Sequence, residues 1–172
     1  MVGVGIDGAE SSLARVSLVN FHGAVVLDEF VKQRERVVDY RTQWSGVRAK
    51  DLIGGIYITS FPPLLVYQLK KKIPIKAKPF PEIQTRVSAL IQDKILIGHA
   101  VHNDLKALLL SHPRSMTRDT QVCAHKFGRC KTNRVALRVL VKQELGLVIQ
   151  GGEHSSVSSF ISFILSYLLI YE

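Results

Sequence analysis

The stretch from Lys94 to His112, KILIGHAVHNDLKALLLSH, limits the fold of this chain more than any other part of the sequence. An apolar run at 95–97 ends at Gly98, a polar turn follows, and leucines then recur at helical spacing. This order predicts a strand, a tight loop and a helix. Asp104 is therefore predicted to lie where a strand passes into a helix.

Two interpretations of the Asp104 carboxylate are open at this point. In the first, Asn103 or Asp104 caps the following helix, accepting backbone N–H groups and complementing the positive end of the helix dipole. In the second, Asp104 is a metal ligand at the carboxyl edge of a sheet, where open α/β folds place their ligands. The choice between them depends on the rest of the chain.

The charge of the chain indicates the kind of partner. Its 23 Lys and Arg residues exceed its 14 Asp and Glu residues by nine, and such an excess favours a polyanion, with nucleic acid as the leading candidate. The alternative is that the charge serves solubility alone. The predicted phosphate contacts are five closely spaced cations, partly in a loop and partly at the start of a helix: Lys126, Arg129, Lys131, Arg134 and Arg138. The alternative for these five is a solvated helix face.

The two cysteines and the sequence near both ends of the chain indicate the cellular compartment of the protein. Cys123 and Cys130 flank His125, which gives three potential ligands where a closed zinc site needs four, so two thiols in a reducing compartment are expected. The first residues lack the features of a secretory signal, which predicts a cytoplasmic or nuclear protein. The apolar run from Phe160 to Tyr171 is shorter than the roughly 20 residues of a membrane-spanning helix, so no membrane association is expected.

Three further elements can be predicted from local patterns. Two β-rich runs at 13–20 and 24–31, separated by a short loop with glycine, predict an antiparallel hairpin. The segment from Arg118 to Val122 is typical of a short strand. Apolar residues at helical spacing between Ala136 and Leu145 predict a helix that stops at Gly146.

Two connecting segments differ in character. The polar connection from Val37 to Asp51 has Tyr40 and Trp44 as its large apolar side chains, and we expect it to cover one face of the sheet. The stretch from Leu52 to Ala77 contains a glycine pair, a proline pair and a run of lysines, which interrupts any regular helix. This change of composition predicts an insertion in an otherwise compact domain.

Seven short motifs follow one another along Val2 to Asp51 and Pro79 to Ser158: VGVG, ARVSLVN, SGVR, KPFPEIQ, ILIGHAVHNDLKAL, RDTQ and HSSVS. In this order they resemble the RNA exonuclease 4 family, which belongs to the DEDDh group of 3′–5′ exonucleases. The most specific are G-H-x-x-x-x-D, ending at Asp104, and H-S-S-V, starting at His154. The resemblance implies an α/β fold of the RNase H-like type, with a mixed β-sheet flanked by helices.

The resemblance also implies a division of the chain and a chemistry. The exonuclease domain is expected over residues 1–158, with an atypical insertion at about 52–77 and a non-family apolar tail at 159–172. The implied reaction is phosphodiester hydrolysis with two Mg²⁺ ions held by four carboxylates. Asp104 is the implied metal ligand and His154 the implied general base.

Two departures from the family pattern affect activity. The first acidic motif of the family, Asp-x-Glu, would lie before Met1, and Ser159 stands where the third motif has aspartate. We therefore expect the first, central strand to be largely missing. We also expect the chain as written to be inactive, because a serine hydroxyl does not replace the charge of a carboxylate at a metal site.

The favoured function is that of a 3′–5′ exoribonuclease family acting in ribosomal RNA processing, with Mg²⁺ as the cofactor. RNA, in particular pre-rRNA, is the expected partner, DNA stays open as a second ligand, and the nucleus or nucleolus is the expected location. The alternative is a catalytically dead, nucleic-acid-binding pseudoenzyme that keeps the basic surface. A third hypothesis is an interaction or membrane-tethered protein that uses the apolar tail.

Overall fold

The computed structural model of the chain describes residues 1–52, 77–132 and 134–149. It is a mixed α/β structure. Its elements are β1 (Val2–Val4), β2 (Glu10–Ser12), β3 (Arg15–Val19), β4 (Val25–Val31), α1 (Thr42–Ser45), α2 (Ala49–Leu52), β5 (Ala77–Lys78), α3 (Phe80–Ile91), β6 (Leu96–Gly98), α4 (Val101–Ala107), β7 (Thr117–Asp119), α5 (Thr120–Lys126) and α6 (Leu137–Leu145). A 3₁₀ turn at Arg114–Met116 precedes β7. The described residues form two compact units, 1–18, 25–52 and 77–86 in the first, and 19–24, 87–132 and 134–149 in the second.

The strands of the first unit form two small sheets. β1 pairs with β2 in antiparallel fashion, with Val2 opposite Ser12. β4 lies between β3 and β5 in a three-stranded sheet, and it pairs with β5 in parallel fashion. The adjacency of β3 and β4 confirms the predicted hairpin. Its turn is held by Asn20, whose side-chain oxygen accepts the N–H groups of His22 at 3.0 Å and Ala24 at 2.9 Å.

The core of the first unit draws on residues from both ends of the predicted insertion. Its buried members are Val2, Val4, Ala14, Val37, Val47, Leu52 and Ala77. Tyr40 packs against this cluster, as expected for the connection from Val37 to Asp51. Trp44 does not, because 70% of it is exposed. The prediction that both aromatic residues cover the sheet is therefore wrong for Trp44. Residues 53–76 lie outside the described residues.

The second unit confirms the predicted strand, loop and helix of the Lys94 to His112 stretch. β6 and β7 pair in parallel, with Gly98 opposite Asp119, so both carboxyl ends lie at the same edge. The prediction of a strand from Arg118 to Val122 is wrong in extent, because helix α5 already begins at Thr120. The predicted last helix is confirmed, and it ends at Gly146, which adopts the left-handed backbone conformation that favours glycine.

The core of the second unit includes the cysteines that were weighed as zinc ligands. Cys123, Ala124, Val135 and Leu140 are buried together, and Cys130 packs against them. Both cysteines are present as thiols, and the Cys130 thiol donates to the Thr132 carbonyl at 3.1 Å. Within 1–52, 77–132 and 134–149 no helix has the length and apolar character needed to cross a bilayer. The predicted tail at 159–172 lies outside these ranges.

Candidate functional site

The turn between β6 and α4 carries the G-H pair of the sequence motif. A Cβ atom at Gly98 would lie 2.7 Å from Cγ2 of Val101, so the close approach of strand and helix requires glycine there. Ala100 has φ 56° and ψ 41°, a left-handed conformation that side chains disfavour by roughly 1–2 kcal/mol. The turn is therefore tight and strained, and it depends on other residues to hold its shape.

Asp119, at the end of β7, supplies that support. Its Oδ1 accepts the N–H of Ala100 at 2.9 Å, and its Oδ2 accepts the N–H of Val101 at 2.9 Å. Oδ1 also accepts the N–H of Gln121 at 3.0 Å, so one carboxylate caps both α4 and α5. The cap of α4 is thus Asp119, and the alternative that Asn103 or Asp104 caps this helix is wrong.

Asp104 lies inside the first turn of α4 rather than at its cap. The residue reaches the surface, yet burial by the surrounding protein atoms raises the pKa of its carboxyl group, and the negative charge of Asp119 raises this pKa further. A carboxylate whose charge is disfavoured by its surroundings, at the carboxyl edge of parallel strands, is typical of a functional position.

The described residues do not fit a two-ion centre. The Asp119 carboxylate accepts three backbone N–H groups, which occupy most of its lone pairs and commit it to holding the turn. Among the residues that the structure describes, no group of three or more His, Cys, Asp or Glu side chains could hold a metal ion. The predicted general base His154, together with Ser159, lies outside the described residues. No catalytic step through Mg²⁺ follows from this geometry.

His99 links the turn to the basic segment. Its Nε2 lies 2.9 Å from the Val135 carbonyl, and its Nδ1 lies 2.9 Å from the Thr120 hydroxyl. Since a carbonyl only accepts, Nε2 must carry the proton. Burial lowers the pKa of His99, although the bond to Val135 and the charge of Asp119 act in the opposite direction. A neutral His99 therefore ties the Val135 backbone, next to Arg134, to the β6–α4 turn.

The structure brings the five predicted phosphate contacts onto one continuous stretch of the second unit. Lys126 ends α5, Arg138 belongs to α6, and Arg129, Lys131 and Arg134 lie between these helices. All five are exposed. Their environments differ, because the Arg129 guanidinium lies 3.9 Å from a carboxylate oxygen of Glu144 and the Lys126 ammonium lies 5.7 Å from the Phe127 ring centroid.

A groove beside α6 adjoins the basic segment, and its accessible lining is mostly apolar. Its volume is about 490 Å³, and it is lined by Arg138, Val139, Lys142, Gln143, Val148 and Ile149. Lys142 was absent from the predicted contacts. Helical periodicity could have indicated it, because it lies one helical turn after Arg138.

His99 and Asp119 were also missed by the sequence analysis. For Asp119 the available signal was an aspartate directly before an apolar helical segment, the usual pattern of a helix N-cap.

Sequence comparison identifies relatives over most of the chain. RNA exonuclease 4 of Cryptococcus neoformans is 47% identical over 157 residues, which cover 91% of this chain and 33% of that protein. RNA exonuclease 4 of Xenopus laevis is 43% identical over 157 residues, and that of Candida glabrata is 41% identical over 169 residues. The chain spans 32% and 55% of these two proteins, and 91% and 96% of the chain is matched. No protein-family model matches the chain.

Structural comparison gives the fold. The Saccharomyces cerevisiae Pan2 pseudoubiquitin hydrolase–RNA exonuclease module in complex with AAGGAA RNA superposes with a TM-score of 0.74 at 22% identity, covering 97% of this chain and 26% of that one. The Neurospora crassa Pan2 catalytic unit gives a TM-score of 0.70 at 21% identity, covering 92% of this chain and 24% of that one. The predicted α/β, RNase H-like fold is confirmed.

Proposed function

Because the matched part of this chain belongs to the RNA exonuclease 4 family, we propose that it is a 3′–5′ exoribonuclease-type domain that binds RNA and, as the 172-residue polypeptide, does not hydrolyse it. The proposed natural ligand is pre-rRNA, and the proposed location is the nucleolus. The chain spans about a third to a half of the length of the curated relatives that it matches, so their activity enters only as support.

The observation that carries the proposal is the link between the basic segment and the candidate site. His99 holds the Val135 carbonyl at 2.9 Å, and Arg134 precedes Val135 directly. Exposed guanidinium and ammonium groups on either side of this anchor offer contacts to phosphates, which supply most of the affinity for nucleic acid. A strand of RNA bound along the segment from Lys126 to Arg138 would therefore run beside the turn that leads to Asp104.

The shortage of acidic residues at the family's metal-binding positions supports the proposal that the chain does not hydrolyse RNA. Two divalent ions need several carboxylate oxygens, because hard cations of that charge bind oxygen ligands. The sequence offers Asp104 for the second family motif, whereas Ser159 occupies the aspartate position of the third. The capping role of Asp119 supports the same conclusion, since its oxygens are already engaged by backbone N–H groups.

Binding and cleavage can be measured on the same samples. The 172-residue chain is mixed with 5′-labelled single-stranded RNA and MgCl₂, binding is followed by anisotropy and products are resolved on a denaturing gel. We expect binding that weakens steeply with salt and no shortening of the RNA. Shortening that is lost in Asp104→Ala would overturn the inactive assignment, and absence of binding at low salt would overturn the proposal as a whole.

A charge-reversal pair tests the location of the RNA surface. Arg134→Glu should weaken binding, because it places a negative charge in the basic segment. Arg36→Glu, which reverses an equally exposed arginine of the first unit, is the matched control and should have the smaller effect. Imaging of the tagged chain against a nucleolar marker tests the proposed location, and exclusion from the nucleolus would contradict it.

A further inference from the structure

Trp44 is an exposed aromatic residue without a role in the proposed site. It is the single tryptophan of the chain, and 70% of it is accessible to solvent. Tyr40, four residues earlier, packs against the core of the first unit. Trp44 lies in helix α1, and its exposed indole offers a large, flat, apolar face to a ligand.

Hydrogen bonds hold helix α1 and the turn that follows it in place around Trp44. The Thr42 hydroxyl donates to the Val47 carbonyl at 2.8 Å, and the Ser45 hydroxyl donates to the Tyr40 carbonyl at 2.7 Å. The Ser45 oxygen also accepts the N–H of Val47 at 3.0 Å. Val47 itself is fully buried in the core. Helix α1 is thus anchored on both sides of Trp44, and the indole is exposed to solvent on a fixed backbone.

The charge around Trp44 indicates what would cover it. The segment 40–50, YRTQWSGVRAK, carries three cations and no carboxylate. The side chains of Arg48 and Lys50 are accessible to solvent. The third cation, Arg41, donates to the Ser11 hydroxyl at 2.7 Å. The flanking carboxylates are engaged locally, since Asp39 accepts the N–H of Arg41 and Asp51 accepts the N–H of Arg48. A flat apolar ring beside cations suits a ligand that combines planar rings with negative charge.

We propose that Trp44 is a stacking platform for a base of single-stranded RNA, with Arg48 and Lys50 contributing phosphate contacts. This inference rests on the proposed RNA binding and extends it to the first unit. Single-stranded nucleic acid fits the site better than an acidic peptide, because every base offers a planar face to an exposed indole. Stacking of this kind tolerates different bases, so little sequence preference is expected at this position.

The single tryptophan makes the inference directly measurable. Fluorescence excited selectively at the indole, at a wavelength where the five tyrosines hardly absorb, reports on Trp44 alone. Titration with a short oligouridylate should quench this emission in a saturable manner. Inorganic polyphosphate, which has the charge without the bases, should leave the emission nearly unchanged. Equal quenching by both polyanions would overturn the stacking assignment, as would an emission that depends on protein concentration alone, which would indicate that a second copy covers Trp44.

Variants give an independent readout with labelled RNA. Trp44→Ala should weaken binding roughly 5- to 150-fold, whereas Trp44→Phe, which keeps a ring, should retain most of the affinity. The matched control is Phe21→Ala, because 66% of Phe21 is exposed on the hairpin turn. It should bind like the wild type. RNA binding that is unchanged in Trp44→Ala overturns the inference but leaves the proposed function intact, whereas absence of all RNA binding overturns both.

Discussion

Oδ2 of Asp119 accepts the N–H of Val101 at 2.9 Å, so a residue at the end of one strand caps the helix that follows its neighbour. The same carboxylate caps α5 through the N–H of Gln121. The two strand-to-helix junctions of the parallel pair are therefore joined by a single side chain. This arrangement fixes the start of α4, and with it the direction in which Asp104 leaves the sheet edge.

Replacement of Asp119 should accordingly destabilise both junctions. We expect Asp119→Ala to lower the free energy of unfolding by about 2 kcal/mol, since each helix cap contributes roughly 1 kcal/mol. Asp119→Asn should lower the free energy of unfolding less, because one oxygen acceptor remains. Urea denaturation followed by circular dichroism measures both. The control Asp7→Ala removes an exposed carboxylate of the first unit, and a loss for Asp119→Ala no larger than that of the control would contradict the capping role.

The left-handed backbone of Ala100 leads to a second prediction. Glycine adopts φ 56° without steric cost, so Ala100→Gly should leave stability unchanged or raise it by up to about 1 kcal/mol. The same change at Ala89, an exposed position inside α3, should lower stability by about 1 kcal/mol. Thermal melts of the two variants distinguish them. A destabilisation of equal size at both positions would show that the left-handed conformation carries no strain.

Local sequence predicted the elements around these residues but not their connections. The apolar run before Gly98 and the spacing of leucines after it suffice to predict β6 and α4. The cap comes from Asp119, 18 positions after Val101, and depends on parallel pairing that no local pattern encodes. The prediction for Trp44 failed for a related reason, because hydrophobicity alone does not determine which residue of a connection faces the core.

His99 should make stability depend on pH. The pKa of His99 in the folded protein is lowered below 6.5, mainly by burial. Well above pH 6.5 the imidazole is therefore neutral in both the folded and the unfolded chain. As pH falls below 6.5, the unfolded chain binds the proton first, and stability decreases towards the folded pKa. Between pH 8 and pH 5.5, the free energy of unfolding should therefore decrease more for the wild type than for His99→Asn, as measured by denaturation. Identical losses would contradict this contribution.

The Arg15–Asp28 ion pair should make the stability of the fold depend on pH in the acid range. The Arg15 guanidinium donates to both Asp28 oxygens, at 2.7 and 2.6 Å, and this interaction lowers the Asp28 pKa, with help from the Ser17 hydroxyl. A lowered pKa stabilises the fold above 3.8, and this stabilisation is lost as pH falls through the folded pKa. Because the pair is partly exposed, Asp28→Asn should cost only about 0.5–1 kcal/mol at pH 7.

The decisive measurement for the Arg15–Asp28 pair is how the destabilisation caused by Asp28→Asn changes with pH. Below pH 3.8 the unfolded chain binds the proton before the folded chain does, so the difference in the free energy of unfolding between Asp28→Asn and the wild type should shrink as pH falls towards the lowered pKa of folded Asp28. A Ser17→Ala variant, which removes the weaker of the two hydrogen-bonding partners, should show a smaller effect in the same direction. A cost for Asp28→Asn that is independent of pH would mean that shape or packing, rather than charge, accounts for it.

The salt dependence of RNA binding should separate two arginines of the basic segment. Each phosphate contact on a single strand contributes roughly 0.7 to the slope of log Kobs against log salt concentration. Arg134→Gln should reduce the slope by about that amount if this exposed guanidinium binds a phosphate. Arg129→Gln should reduce it less, because a Glu144 oxygen lies 3.9 Å from the Arg129 guanidinium and already offsets part of its charge. Equal reductions would show that the ion pair opens when RNA binds.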